Sequence, residues 1–242
     1  MSKNFLCAVL CFNNQKIIQN LIDDLNKTER LSKIEKIFID DHSSDKTISI
    51  LKQNNLPVIE HNENLGYGRA VKSAFEFAKK KNFEYFCIFP GDYQRSINDL
   101  LFMMDLLQSN DYDLISGSKF KKIEILPYHR KIGNLFYSKM AKIFWNSKIQ
   151  DVLSGFKTYN VKKFEGLIEN LPNNYSFDIV MNQIVSKKNF VCKEFDADVK
   201  YNDHTSKMKS MFYLGKKNIL YIGINMFFST FFELIKLKLF KK

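Results

Sequence analysis

Residues 38–47 read Phe-Ile-Asp-Asp-His-Ser-Ser-Asp-Lys-Thr, an apolar run that stops at two carboxylates and passes into a hydroxyl-rich turn. A buried strand cannot desolvate a pair of carboxylates cheaply. Asp40 and Asp41 therefore belong at the strand's carboxyl end, on the rim of a sheet where a ligand can use them. The same turn also suits a ligand-free role, because Ser43, Ser44 or Asp45 can cap a helix over 46–53. Both readings place the segment at a strand-to-helix junction.

On either side of this junction short apolar runs alternate with helix-length segments. Strands are predicted over 5–12, 36–39, 57–60, 85–89 and 113–116. Helices are predicted over 16–25, 46–53, 69–80 and 97–107, where apolar residues recur at three and four. This rhythm means βαβ units and a mainly parallel sheet flanked by helices. Ligands in such sheets sit beyond the carboxyl ends of the strands. The residues there are polar: Asn13 and Asn14, Asp40 and Asp41, Gly91 to Gln94, and Ser118 with Lys119. Gly66-Tyr67-Gly68 opens a helix after the third strand, which is the wrong place for a dinucleotide fingerprint. It reads either as a tight turn or as a phosphate contact through backbone N–H groups.

The 242 residues, 45% hydrophobic and 26% charged, exclude a disordered chain, and 9 Gly with 4 Pro leave little room for long linkers. A net charge of +11 implies an anionic partner. Nucleic acid is not expected, because no recognised motif for it accompanies the charge and much of the excess lies near the C-terminus. Cys7, Cys11, Cys87 and Cys192 form no CxxC pair and read as buried free thiols, which fits a reducing cytosolic setting. The first residues lack the pattern of a secretory leader.

Several short words occur in a recognisable order: Phe-Asn-Asn at 12–14, Asp-Asp-His-Ser-Ser-Asp-Lys-Thr at 40–47, Asn-Leu-Gly-Tyr-Gly-Arg-Ala at 64–70 and Gly-Asp-Tyr-Gln at 91–94. Gly-Ser-Lys-Phe at 117–120, Arg130, Asp-Val-Leu-Ser-Gly-Phe-Lys at 151–157 and Thr-Ser-Lys at 205–207 follow. With them the chain resembles glycosyltransferase family 2, in the branch that contains dolichyl-phosphate mannose synthases. The resemblance implies a GT-A fold and a UDP- or GDP-linked sugar donor whose anomeric centre is inverted, with Mg²⁺ or Mn²⁺ as cofactor. It places Phe12, Asn13, Asp40, Asp41, Gly66, Gly91 and Asp92 on the donor, and Asp92 with Gln94 on the metal. Lys119, Arg130, Ser154 and Lys207 would face the acceptor and its phosphate. Asp92 and Asp151 would be the catalytic acids. For a sugar hydroxyl acceptor Asp151 becomes the general base, whereas a phosphate oxygen is already anionic and leaves Asp151 to orient a cation.

The chain departs from the family's pattern in three places. Pro90 stands where an acid usually precedes the aspartate at Asp92, and Asn14 stands where an acid is usual after Asn13. Only Asp203 and His204 stand near Ser206 and Lys207, where the family often carries an arginine.

From residue 216 the composition changes again. The stretch 219–232 is apolar on every helical face, shorter than the roughly 20 residues that span a bilayer, and it is followed by alternating Leu and Lys. We expect a transferase domain over 1–208 and a membrane-associating helical segment over 209–242, seated on or shallowly in the cytosolic face. A single span and an oligomer-forming helix are the other readings. The expected reaction moves a hexose from a nucleotide sugar to a polyprenyl phosphate. The alternatives are transfer to a saccharide hydroxyl and a catalytically weak nucleotide-binding scaffold.

Overall fold

The computed structural model describes residues 4–126 and 128–200, except the side chains of residues 125, 129 and 130. The expected segment over 209–242, and Lys207 with it, lie outside the described residues.

Strand β1 (Phe5–Cys11) is a continuous apolar run because it is covered on both faces, as the centre of a parallel sheet requires. It is followed by helices α1 (Ile18–Lys27) and α2 (Glu29–Ser32), then β2 (Glu35–Asp40), α3 (Thr47–Gln53), β3 (Val58–Glu60), α4 (Tyr67–Lys80), β4 (Tyr85–Pro90) and α5 (Ile97–Ser109). Strand β5 (Leu114–Ser118) leads through a 3-10 turn at Phe120–Ile125 into α6 (Tyr128–Trp145). The chain then forms β6 (Lys157–Asn160), α7 (Val161–Phe164), α8 (Ser176–Lys187) and β7 (Cys192–Asp196).

The sheet has the order β3-β2-β1-β4-β6-β5-β7, and only β6 runs against its neighbours. All five predicted strands and all four predicted helices are present, shifted by no more than two residues at either end. Side chains alternate between two cores with the period of a strand. Leu6, Ala8, Ile37, Ile39, Phe86 and Ile88 pack under α4 and α8. Cys7, Val9, Phe38, Cys87 and Phe89 pack under α1 and α5. Helix α1 buries Ile18, Leu21, Ile22 and Leu25, the three-and-four spacing that aims one stripe at the sheet. Phe38 is fully buried at the centre of the second core, and truncation to Ala there costs about 3–5 kcal/mol. Cys7, Cys11 and Cys87 are buried, Cys192 is half-buried, and all four are free. Among the described residues no helix is long and apolar enough to cross a membrane.

Candidate active site

The carboxyl ends of β1, β2 and β4 each run into a residue with left-handed backbone: Asn13 (φ 51°), His42 (φ 64°) and Tyr93 (φ 56°). Such backbone is uncommon outside glycine and clusters at functional edges. The first two turns are laced together. Asn13 N–H donates to Ser43 Oγ at 2.8 Å, and Ser44 N–H donates to Asn13 Oδ1 at 2.8 Å. Asn14 N–H donates to Thr47 Oγ1 at 2.7 Å, and Gln15 N–H to Asp45 Oδ2 at 3.0 Å. The hydroxyl-rich turn therefore joins two strand ends. Only Asp45 also supports the helix start, accepting from Thr47 N–H at 2.9 Å.

The two carboxylates of the opening stretch have separate tasks. Asp40 turns back on its own loop, accepting from Ser43 N–H at 2.7 Å and from the Ser43 hydroxyl. Asp41 holds the loop after β3. Its Oδ1 accepts from Leu65 N–H and its Oδ2 from Gly66 N–H, both at 2.9 Å. His61 Nδ1 lies 2.8 Å from Asp41 Oδ1, and His61 Nε2 lies 2.9 Å from Ser73 Oγ on α4.

Packing accounts for the glycine pair. At Gly66 (φ +90°) a Cβ would lie 2.7 Å from Asn173 O, and at Gly68 it would lie 2.2 Å from Pro172 O. Arg69 N–H, which a phosphate cradle would leave available, donates to Asn173 O at 3.2 Å. The start of α4 is thus covered by residues 172–173. The phosphate-contact reading of Gly66 is corrected accordingly: its N–H belongs to Asp41.

After β4, Gly91 is required because a Cβ there would meet Leu10 O at 2.6 Å. Asp92 is half-buried, and its Oδ1 accepts from Gln94 N–H at 3.2 Å. The Tyr93 hydroxyl donates to Asp24 on α1, an interaction that lifts the phenol to about 12. With Pro90 in place of an acid, this turn offers a hard divalent cation one carboxylate and one amide. That is part of an oxygen shell, which a diphosphate must complete. Among the described residues no group of three or more His, Cys, Asp or Glu could hold a metal by itself.

The far side of the site is a set of buried charges. Asp151, fully buried, accepts from Lys119 Nζ and from Lys119 N–H, each at 3.0 Å. Burial pushes its carboxyl up, but the Lys119 charge and both hydrogen bonds, with Arg95 beyond, hold it below its ordinary value. Burial also lowers the Lys119 ammonium, against the pull of Asp151. Glu194 on β7 accepts from Asp151 N–H at 2.8 Å and from Gln150 N–H at 2.9 Å, fixing the loop from behind. Ser154 is fully buried and donates to Gly117 O at 2.6 Å, so its hydroxyl faces the protein. Lys157, the first residue of β6, is fully buried and donates to Asp178 Oδ1 on α8 at 2.7 Å. Burial keeps Asp178 above its ordinary value despite that partner.

Arg95 joins the two sides. Three residues after Asp92, its guanidinium lies 5.6 Å from the centre of the Phe156 ring and reaches Ser154 Oγ at 3.4 Å. Neither Arg95 nor the Lys157–Asp178 pair was predicted as part of the site. Arg95 directly follows the Gly-Asp-Tyr-Gln word and Lys157 ends the Ser-Gly-Phe-Lys word, which were the available signals, whereas Asp178 had none. The side chain of Arg130 lies outside the described residues.

A mainly parallel sheet with one antiparallel strand inserted, and with polar turns gathered at one edge, defines a GT-A-type α/β domain. The model of the glycosyl transferase family 2 matches residues 7–168. The chain belongs to that family and is a glycosyltransferase. It is 24% identical over 199 residues to the glycosyltransferase AglD of Haloferax volcanii, an alignment that spans 77% of this chain but only 31% of that protein. It is 22% identical over 198 residues to a UDP-N-acetylglucosamine–dolichyl-phosphate N-acetylglucosaminyltransferase of Methanococcus voltae, covering 74% and 78%. Among solved structures, glucosyl-3-phosphoglycerate synthase of Mycobacterium tuberculosis in complex with Mn²⁺, UDP and glucosyl-3-phosphoglycerate has a similar fold. There the TM-score is 0.53 at 12% identity, over 83% of this chain and 73% of that one.

Proposed function

We propose that this protein transfers a hexose from a UDP- or GDP-linked donor to a polyprenyl phosphate at the cytosolic face of a membrane. The observation that carries this reading is the state of Asp151. A sugar hydroxyl needs a base, and that base must be reachable and able to hold a proton near neutral pH. Asp151 is fully buried, paired with Lys119 and shifted away from neutrality. A phosphate acceptor needs no base, since its oxygen is anionic at pH 7. The named dolichyl-phosphate transferase among the relatives supports the same choice.

In the proposed reaction an acceptor phosphate oxygen forms the bond to the anomeric carbon as the bond to the donor diphosphate breaks. The configuration inverts, and the nucleoside diphosphate leaves. Asp92 and Gln94 would hold a divalent cation, which when bound neutralises the charge of the leaving diphosphate. Asp40, Asp41 and the Asn13 turn shape the donor edge. Lys119 and Arg95 supply positive charge on the acceptor side. The segment over 209–242 would keep the domain at the membrane.

Pro90 and Asn14 favour a second reading, a domain that binds nucleotide without transferring sugar. The test is incubation of the full chain with membranes and radiolabelled UDP- and GDP-sugars. Label in the organic-solvent lipid extract supports the proposal. Label confined to water-soluble glycan points to a hydroxyl acceptor. Nucleotide binding with neither transfer nor donor hydrolysis leaves the scaffold.

A further inference from the structure

We propose that the ring of Tyr175, stacked on Tyr67, is the platform on which the hexose of the nucleotide sugar lies while it is transferred. Tyr175 is 60% exposed, yet its ring lies nearly parallel to that of Tyr67, with centroids 5.7 Å apart and planes 10° from each other. A single exposed aromatic needs no ligand. This one is held in place from beneath and along its backbone. Tyr67 is the first residue of α4, and its ring stands edge-on to the buried Phe177 at 6.1 Å. Its buried hydroxyl faces Gly155, where a Cβ would lie 3.2 Å away. Burial and then the neighbouring charge of Asp178 push the Tyr67 phenol well above its ordinary value. The backbone that carries Tyr175 is fixed as well. Asn173 O accepts from Arg69 N–H at 3.2 Å, Asn174 O from Phe177 N–H at 3.1 Å, and Asn174 Oδ1 from Ser176 N–H at 2.9 Å. A ring already ordered in this way loses little entropy when a ligand settles on it.

Position chooses the ligand. Gly66, next to Tyr67 in the chain, gives its N–H to Asp41 at the donor edge. Gly155, against the Tyr67 hydroxyl, belongs to the turn that carries Asp151 and Ser154 on the acceptor side. The stack therefore stands where the two halves of the site meet. The transferred sugar must lie between those halves, because its anomeric carbon sits between the leaving diphosphate and the incoming oxygen. The C–H bonds on one face of a pyranose carry partial positive charge and match the negative face of an aromatic ring. The hydroxyls at its rim suit polar neighbours, which Asn173, Asn174 and Ser176 are, whereas an isoprene chain would favour apolar ones. The inference rests on the donor being a nucleotide sugar and is independent of the acceptor.

Calorimetry on the full chain with Mn²⁺ compares UDP with UDP-glucose and UDP-N-acetylglucosamine, and GDP with GDP-mannose. Tyr175→Ala should weaken binding of at least one of the three nucleotide sugars by roughly three- to tenfold, while the bare nucleotide keeps its wild-type Kd. Tyr175→Phe and Tyr175→Trp keep a ring and should restore the affinity, which a loss through the hydroxyl would not allow. An equal loss for the bare nucleotide would place the base or the diphosphate on the ring. Unchanged affinity for all three nucleotide sugars, with a raised KM for a polyprenyl phosphate, would place the lipid there. Failure of both aromatic variants to restore binding would assign the effect to the phenol oxygen. Each of these three results overturns the proposal. Lipid transfer does not enter the donor affinities, so a failure of the acceptor reading is read separately.

Discussion

Lys119 grips Asp151 twice, once with its side-chain ammonium and once with its own backbone N–H, each at 3.0 Å. The end of β5 and the loop before β6 are thereby one unit. Removing one partner strands the other in a buried site. Lys119→Met and Asp151→Asn should each therefore cost about 3–5 kcal/mol, the first by leaving a buried carboxylate and the second by leaving a buried ammonium against an amide whose single oxygen accepts from only one of the two donors. Urea midpoints of the two variants give the comparison. Losses near zero in both would mean that the pair is solvated after all.

Acid titration should separate the two buried aspartates. Asp151 is held below its ordinary value, so the unfolded chain takes up the proton first as pH falls. Its stabilisation is complete above about pH 4 and fades below that. Asp178 is held above its ordinary value by burial. There the folded protein takes up the proton first, and the contribution to stability declines as pH rises through the ordinary carboxylate range. Relative to wild type, Asp151→Asn should flatten the acid loss of stability, and Asp178→Asn should steepen it. Urea midpoints across the acid range test both slopes.

Asp41→Ala should weaken nucleotide binding through the loop it holds. Its oxygens accept from Leu65 and Gly66 N–H and face His61. Loss of these bonds should lower stability by about 1–3 kcal/mol. His61→Ala should then reproduce part of the binding defect, although His61 is bonded to Asp41 and Ser73 within the fold. Calorimetry with UDP and GDP decides. A binding loss confined to Asp41→Ala, with His61→Ala at wild-type affinity, would point to a direct ligand contact.

Two glycines in helices should respond in opposite directions to the same methyl group. Gly68→Ala drives a Cβ to 2.2 Å from Pro172 O, so α4 or the 172–173 segment must shift, at about 1–3 kcal/mol. Gly133, inside α6, has nothing within 4 Å of the corresponding position. Gly133→Ala should stabilise by up to about 1 kcal/mol through helix propensity alone. Melting temperatures of the two variants check the contrast.

The part of the fold that could be read from sequence is the part where local pattern and burial agree. The first five strands are apolar runs, and the first helices carry a clear apolar stripe. Strand β6 was not predicted because it reads Lys-Thr-Tyr-Asn, and Lys157 is buried only because α8 brings Asp178 to it. Helix α6 was not predicted because its outer face is apolar, so the usual contrast between inner and outer sides is weak. At the site, the strand-end residues were legible singly. Their hydrogen bonds were not, since Asp41 with Gly66 and Asn13 with Ser44 join turns far apart in the chain.

The metal requirement of the Gly91–Gln94 turn yields the last prediction. Asp92 is the only carboxylate in that turn, and Pro90 occupies the end of β4 where a second would stand. One carboxylate and one amide make a weak Mg²⁺ or Mn²⁺ site until donor phosphates and water complete the octahedron. Metal binding without nucleotide should therefore be weak, and each ligand should strengthen the other by the same factor, about 5–150-fold. Asp92→Asn should abolish that coupling and transfer together, while nucleotide affinity measured in chelator stays near wild type. Pro90→Asp adds the missing acid at a position bounded by Gly91 N–H, which donates to Leu10 O at 2.8 Å. If β4 tolerates the loss of the fixed φ, this variant should bind Mn²⁺ more tightly in the absence of nucleotide. Calorimetric titration of Mn²⁺ with and without UDP measures both effects. Full transfer by Asp92→Asn, or undiminished wild-type transfer in chelator, would remove the metal from this turn.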